Sequence, residues 1–189
     1  MNKKSRILVV TGIILITIAL SLTLYNIYIN QQAGQKSQDI YQKLQEEFKK
    51  TIAQASPKEM KLITIDGYDY IGTIEIPVLD LKLPIMADWD NEKMKISPCK
   101  YYGSIYTNNL VLCSHSYDKL FGNIETLQQK DKVIITDMYN NKFIYEVELI
   151  EVLKPNDIEE MIESDFDLTL YTCTKDNQDR VTVRLNKIN

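Results

Sequence analysis

The spacing of hydrophobic positions changes twice along the chain, and each change marks a different kind of element. From Ile7 to Ile29 no charged residue interrupts 23 positions. A helix of that length spans the hydrocarbon core of a bilayer with some tilt. Lys3, Lys4 and Arg6 precede it, and Tyr25, Tyr28 and Ile29 close it. Basic residues favour the cytoplasmic side and tyrosines the interface. The pattern therefore predicts an uncleaved single-pass anchor, with its N-terminus in the cytoplasm and the rest of the chain outside. A cleaved signal peptide is the competing reading, but its apolar core is shorter and ends at small residues. From Gln31 to about Lys61 the chain turns polar, with Ile40, Leu44, Phe48 and Ile52 four residues apart. That interval draws one apolar stripe along a helix. It predicts a stalk packed loosely on the domain or on itself. The sharper alternative is a regulatory helix lying over a functional site. Ser56-Pro57 ends the segment.

From Leu62 onward the period shortens to that of strands. Tyr70–Ile76 reads as a strand stopped by Pro77, and Leu81–Leu83 as a second before Pro84. Leu110–Leu112 and Val133–Thr136 follow, then a hairpin-like turn at Asn140-Asn141. Phe143–Val152 is the longest, with Phe143, Tyr145, Val147 and Leu149 on one face and Glu146 and Glu148 on the other. Such alternation predicts one buried and one solvated face. Two further strands flank Cys173, and Leu120–Gln128 and Asp157–Ile162 look helical. Many short strands with turn signals make a mostly β domain, either barrel or sandwich. The organisation is a tip and anchor over 1–29, a helical stalk over 30–61 and a β domain over 62–189.

Composition adds two exclusions. Hydrophobic residues make up 44% of the chain, enough to build a core, which argues against disorder. Removing the three positive charges of residues 1–29 from a net −4 leaves −7 on residues 30–189. An acidic exterior domain argues against nucleic acid as a partner. The three cysteines, Cys99, Cys113 and Cys173, leave at least one free thiol on an exported domain. Cys99 and Cys113 are open to pairing. Cys113, in an apolar strand, also reads as a small core residue, and Cys99 follows Pro98 in a loop. No CxxC or His-rich cluster points to zinc, and the acidic residues show no EF-hand pattern, so no cofactor or metal is expected.

The candidate chemistry gathers at Leu168-Thr169-Leu170-Tyr171-Thr172-Cys173. This is a strand ending in a cysteine, followed by a polar turn and then Arg180 at the start of another strand. A thiol needs a partner to act as a nucleophile at neutral pH, and imidazole is the usual one. The only histidine is His115, at the exit of an apolar strand. Arg184, on the same strand face as Arg180, is the rival arginine.

Thr169-Leu170-Tyr171-Thr172-Cys173 resembles the TLxTC signature of the sortases, cysteine transpeptidases of Gram-positive cell surfaces. Asn109–His115 with Phe121-Gly122-Asn123 resembles their histidine segment, and Gly72–Pro77 their first barrel strand. The resemblance runs from about Tyr70 to Leu185, in order. It implies a closed eight-stranded β-barrel with short helices, and a catalytic His115, Cys173 and Arg180. By this resemblance the Cys173 thiolate, favoured by His115 as an imidazolium, attacks a carbonyl in an LPxTG-like sorting signal of a surface protein. His115 then protonates the leaving amine, and Arg180 donates hydrogen bonds. An amine from a peptidoglycan precursor or a pilin lysine resolves the thioester, with the enzyme held at the membrane beside both. The seven-residue step from Cys173 to Arg180 looks like class B or class D members, and Leu153–Asp167 is where sortases often set specificity. Ser114 departs from the family, which is expected to carry glycine there. Two alternatives stay open: a cysteine peptidase that hydrolyses the thioester, and a non-catalytic surface barrel that binds peptide.

Overall fold

A computed structural model describes residues 3–50 and 59–188. The chain divides into two compact units, Met1–Gln32 and Ala33–Asn189. A single helix, α1 (Lys3–Lys50), runs through the anchor and stalk segments. In the first unit its apolar side chains are exposed all round, Leu8 at 73% and Leu24 at 65% among them. It is long and apolar enough to cross a membrane.

The second unit is built on nine strands: β1 (Ile63–Ile65), β2 (Tyr68–Ile76), β3 (Leu81–Met86), β4 (Cys99–Tyr102), β5 (Leu110–Cys113), β6 (Lys132–Asp137), β7 (Lys142–Leu153), β8 (Leu168–Cys173) and β9 (Arg180–Lys187). A short helix, α2 (Ile158–Ile162), lies between β7 and β8. The spatial order β2-β3-β4-β5-β8-β9-β7-β6 closes on itself where β2 pairs with β6. The ring is thus an eight-stranded mixed barrel, with β3–β4 and β5–β8 the parallel neighbours. Closure removes the sheet edges that an open sheet of this size would expose. β1 lies outside the ring and adds to the start of β2 through Ile63↔Tyr70 and Ile65↔Tyr68.

Alternation along each strand sorts the apolar side chains into two groups. Ile74, Leu83, Leu112, Ile135, Leu170 and Val183 fill the barrel interior. Met86, next to Ile85, and Cys113, next to Leu112, face the other way and join Tyr70, Cys99 and Met138 in a second cluster. Ile40, Leu44 and Phe48 of α1 cover it, with exposures of 2%, 0% and 5%. The stalk stripe is therefore packed tightly on the outer wall, not loosely, because a sheet face lined with methionine, cysteine and tyrosine offers it a matching surface. Gln38 Nε2 donates to the Lys82 carbonyl at 2.8 Å and Lys43 pairs with Asp66, pinning the two sides of that contact. Ile52, the fourth member of the stripe, lies outside the described residues.

Other expectations shift for local reasons. β3 continues through Pro84 to Met86, since it meets β4 only at Met86↔Cys99 and an edge position tolerates proline. The segment holding Cys99 is strand β4, not loop. A bulge between Val147 and Leu149 moves β7 out of its alternation. Tyr145 and Val147 are buried, whereas Leu149 is exposed and Ile150 takes the inward place. Leu120–Gln128 forms tight turns with one 3₁₀ turn at Ile124–Thr126 rather than a helix.

Candidate active site

Strand pairing brings the candidate residues together. Cys173 is the last residue of β8 and Arg180 the first of β9, and they are direct partners in the antiparallel ladder. The turn between them is tied by its own side chains. Thr174 Oγ1 donates to Asp176 Oδ1 at 2.5 Å and accepts from the Asp179 N–H at 3.1 Å. Asn177, at φ 59°, makes the reversal, as asparagine tolerates that region. The Arg180 guanidinium is held by the Asp179 carbonyl, 3.1 Å from Nη1.

The histidine arrives from the parallel neighbour. β5 pairs with β8 up to Cys113↔Tyr171, and the Ser114 N–H extends that ladder to the Tyr171 carbonyl at 3.3 Å. The buried Thr172 hydroxyl donates to the Ser114 carbonyl at 2.9 Å. The threonine before the cysteine therefore ties the histidine segment to the cysteine strand. His115 then turns away, its N–H donating to the Met94 carbonyl at 3.1 Å. Ser114 needs no glycine, since it is not among the residues with positive φ, and its hydroxyl adds a donor to the Met94 carbonyl at 3.4 Å. The following loop closes tightly: the Gly122 N–H reaches the Tyr117 carbonyl at 2.9 Å, and a Cβ on Gly122 would lie 2.7 Å from the Tyr117 carbonyl carbon. This leaves the Tyr117 ring stacked on His115, centroids 4.8 Å apart and planes 13° from parallel.

His115, Cys173 and Arg180 line one cavity of about 360 Å³. Its lining includes Lys154, Pro155, Asp157, Ile158 and Met161, so the segment between β7 and β8 borders the site. Among the described residues, none of α1 lines it. Burial lowers the His115 pKa below its ordinary 6.5, the Lys95 ammonium lowers it further, and Glu92 opposes them in part. Burial and Lys95 thus act against the imidazolium form that the resemblance implies.

Arg184 does different work from Arg180. It is 2% exposed and does not line the cavity. Nε pairs with Glu151 at 2.8 Å, Nη1 donates to Thr169 Oγ1 at 3.0 Å, and Nη2 donates to the Glu160 carbonyl at 2.6 Å. A buried guanidinium satisfied in this way fastens α2 to β7, β8 and β9. Sequence reasoning also misses Trp89, Tyr101 and Met94, which complete the cavity. The only tryptophan, in a polar stretch between Asp88 and Asp90, was the available signal. Cys99 and Cys113 are both free thiols, although they face each other across β4 and β5. Burial pushes the Cys113 thiol up to about 12, and Cys99 rises for the same reason.

Comparison with known proteins places the chain in a family. A family model described as Sortase domain matches residues 74–188. The chain is 31% identical over 165 residues to sortase A of Bacillus anthracis, covering 82% of this chain and 77% of that protein. It is similar in structure to sortase C1 from Streptococcus agalactiae, with 26% identity and a TM-score of 0.59 over 67% of this chain and 71% of that one. Sortase C1 from Streptococcus suis gives 28% identity and a TM-score of 0.55 over 64% and 73%. These names span classes A and C, so the class B- or D-like turn between Cys173 and Arg180 does not set a class.

Proposed function

This chain belongs to the sortase family, and on that premise we propose that it is a membrane-anchored cysteine transpeptidase acting on LPxTG-like sorting signals. The observation that carries the reading is that Cys173, His115 and Arg180 line one cavity, with Cys173 and Arg180 paired across adjacent strand ends.

The lowered basicity of His115 favours its neutral ring at the start of the reaction. As the Cys173 sulfur attacks the scissile carbonyl, His115 accepts the thiol proton and an S–C bond forms. Arg180 donates hydrogen bonds to the oxygen that gains charge, a contribution of about 2.7–4 kcal/mol in comparable sites. Collapse breaks the C–N bond, and His115 returns the proton to the departing amine. The acyl group remains as a thioester on Cys173. An incoming amine then attacks that carbonyl and gives its proton to His115. The thiolate of Cys173 leaves and takes the proton back. The donor is a surface protein bearing a C-terminal sorting signal, and the acceptor a peptidoglycan precursor or a pilin lysine. The apolar first part of α1 serves as the anchor, its N-terminus in the cytoplasm and the barrel outside, which confines enzyme, substrate and acceptor to one surface.

The test is product analysis on the full chain in detergent, with a library of LPxTG-like peptides, with and without an amine acceptor. Amine-linked product that disappears in Cys173→Ala supports the proposal. Free acid as the sole product, whatever the acceptor, would replace transpeptidation with hydrolysis. No cleavage by a folded protein would leave a peptide-binding barrel.

A further inference from the structure

A base that meets the same thiol in every cycle needs its ring held in one orientation. A third group commonly does this by hydrogen-bonding to one ring nitrogen. Among the described residues, no hydrogen bond reaches a nitrogen of the His115 ring; Lys95 and Glu92 act on it as charges. What holds the ring is a face. The Tyr117 ring lies flat on the imidazole, centroids 4.8 Å apart and planes 13° from parallel. Tyr117 is itself anchored. Its carbonyl accepts the Leu120 and Gly122 N–H groups at 2.8 and 2.9 Å. Leu120 and Phe121, which follow it, are fully buried. Its side chain packs against the barrel core and is not part of the cavity lining. Helix α1 approaches the same loop so closely that a Cβ on Gly34 would lie 2.9 Å from the Lys119 Cβ. The imidazole thus has a fixed ring against one face, while its nitrogens, which lie on the ring edge, are left for proton transfer.

We infer that Tyr117 is a positioning residue for His115, its ring stacked on the imidazole in the role that a hydrogen-bonding third group takes in other nucleophile–base pairs. This rests on the reading of His115 as the base that serves Cys173. Stacking does two things. It fixes the plane of the imidazole, because rotation about the Cβ–Cγ bond would break the contact with Tyr117. The ring therefore returns a proton along the line on which it received it. Stacking also presents the electron-rich face of an aromatic ring to the imidazolium as the Cys173 proton arrives. That face partly offsets burial and Lys95, which oppose the charged ring, and it acts in the same sense as Glu92. Lys154, Asp157, Cys173 and Arg180 line the same cavity, and Asp118 and Lys119 follow Tyr117 in its loop. A substitution of Tyr117 leaves all of these charges in place.

The experiment compares the full-length chain in detergent with Tyr117→Phe, which keeps the ring, and Tyr117→Leu, which keeps an apolar side chain without one. His115 is the only histidine, so selective labelling of its ring carbons reads one site by NMR. In the native chain the Tyr117 ring current should move the His115 ring protons upfield of their position in the urea-unfolded chain. An unshifted signal overturns the stack without any variant. Tyr117→Leu is expected to remove that shift and to move the His115 titration below the native one. It should also cut kcat for peptide transfer by about 10- to 100-fold, with KM little changed. Tyr117→Phe is expected to keep all three. Equal losses in both variants would assign the effect to the hydroxyl and overturn the proposal. So would an unchanged kcat in Tyr117→Leu. So would a lower kcat with ring shift and titration as in the native chain, which marks a merely structural role. Alkylation of Cys173 by iodoacetamide, followed by peptide mapping, reads the pair without a peptide substrate. If Tyr117→Leu slows it and Tyr117→Phe does not, while even the native chain transfers no peptide, the positioning role stands and the transpeptidase reading falls.

Discussion

The outer wall of the barrel carries three cysteines and treats them in two ways. Under α1, Cys99 and Cys113 are sealed by Ile40, Leu44 and Phe48 in a cluster with Tyr70 and Met86. Beyond the reach of that helix the same wall is open, and Tyr171 and Cys173 line a cavity with His115 and Arg180. The two regions touch: Cys113 and Tyr171 are partners across β5 and β8. The residue types differ little between them. What differs is the cover. Where a helix buries the wall, its thiols become small core groups with raised pKa values. Where the wall is left open, the Cys173 thiol shares a cavity with the His115 ring and the Arg180 guanidinium.

The sharpest break of this comparison is Cys173→Ala. Acyl transfer should fall below detection while the unfolding midpoint in urea stays where it is. The second is labelling of the native chain with a thiol reagent, followed by peptide mapping. Cys173 should react orders of magnitude faster than Cys99 and Cys113, which react only through opening of the cover. Equal rates would mean that α1 does not seal the wall. Third, Arg180→Ala should lower kcat by roughly 10²–10³, the loss of one donor to the developing charge, measured as steady-state transfer. On the sealed side, Leu44→Ala should cost about 2–5 kcal/mol of unfolding free energy in urea and speed labelling of Cys99 and Cys113, with Cys173 labelling unchanged.

The smallest effect concerns the base. Lys95→Gln removes a cation that disfavours the imidazolium, so the His115 titration should move upward, followed on the ring protons of the only histidine by NMR. The sign for stability follows from the same shift. Folding favours the neutral ring, so the contribution of His115 is complete above 6.5 and is lost as pH falls below that value through the lower folded pKa.

The barrel's long strands were legible because β6, β8 and β9 keep clean runs of branched and aromatic residues. His115, Cys173 and Arg180 stood out as candidates because they sit at strand ends, where polar turns announce a change of direction. β4 was hidden because Pro98 and a bulge between Lys100 and Tyr102 leave it without alternation. The bulge in β7 was hidden for the same reason: a period of two cannot announce the place where it fails. The stripe on α1 was plain, but its tight packing depends on a sheet face assembled from four separate strands. Trp89 was visible as a residue and invisible as part of the cavity, since no local pattern tells which loop folds over which strand end. The split between Arg180 and Arg184 was also a matter of depth. One stands at the strand's opening, and the other meets α2 four pairs further along the ladder, beside Thr169.

The parallel ladder between β5 and β8 has a consequence for how such a protein varies. Cys173 and His115 emerge from the same end of two adjacent strands, tied by the Thr172–Ser114 hydrogen bond. Everything between them in the chain, from the loop after Tyr117 through β6, β7 and α2, enters and leaves without passing through that tie. Insertions at the loop or around α2 can therefore remodel what is selected while the reacting atoms keep their spacing. The seam is short, and the border of the cavity is free to change on either side of it.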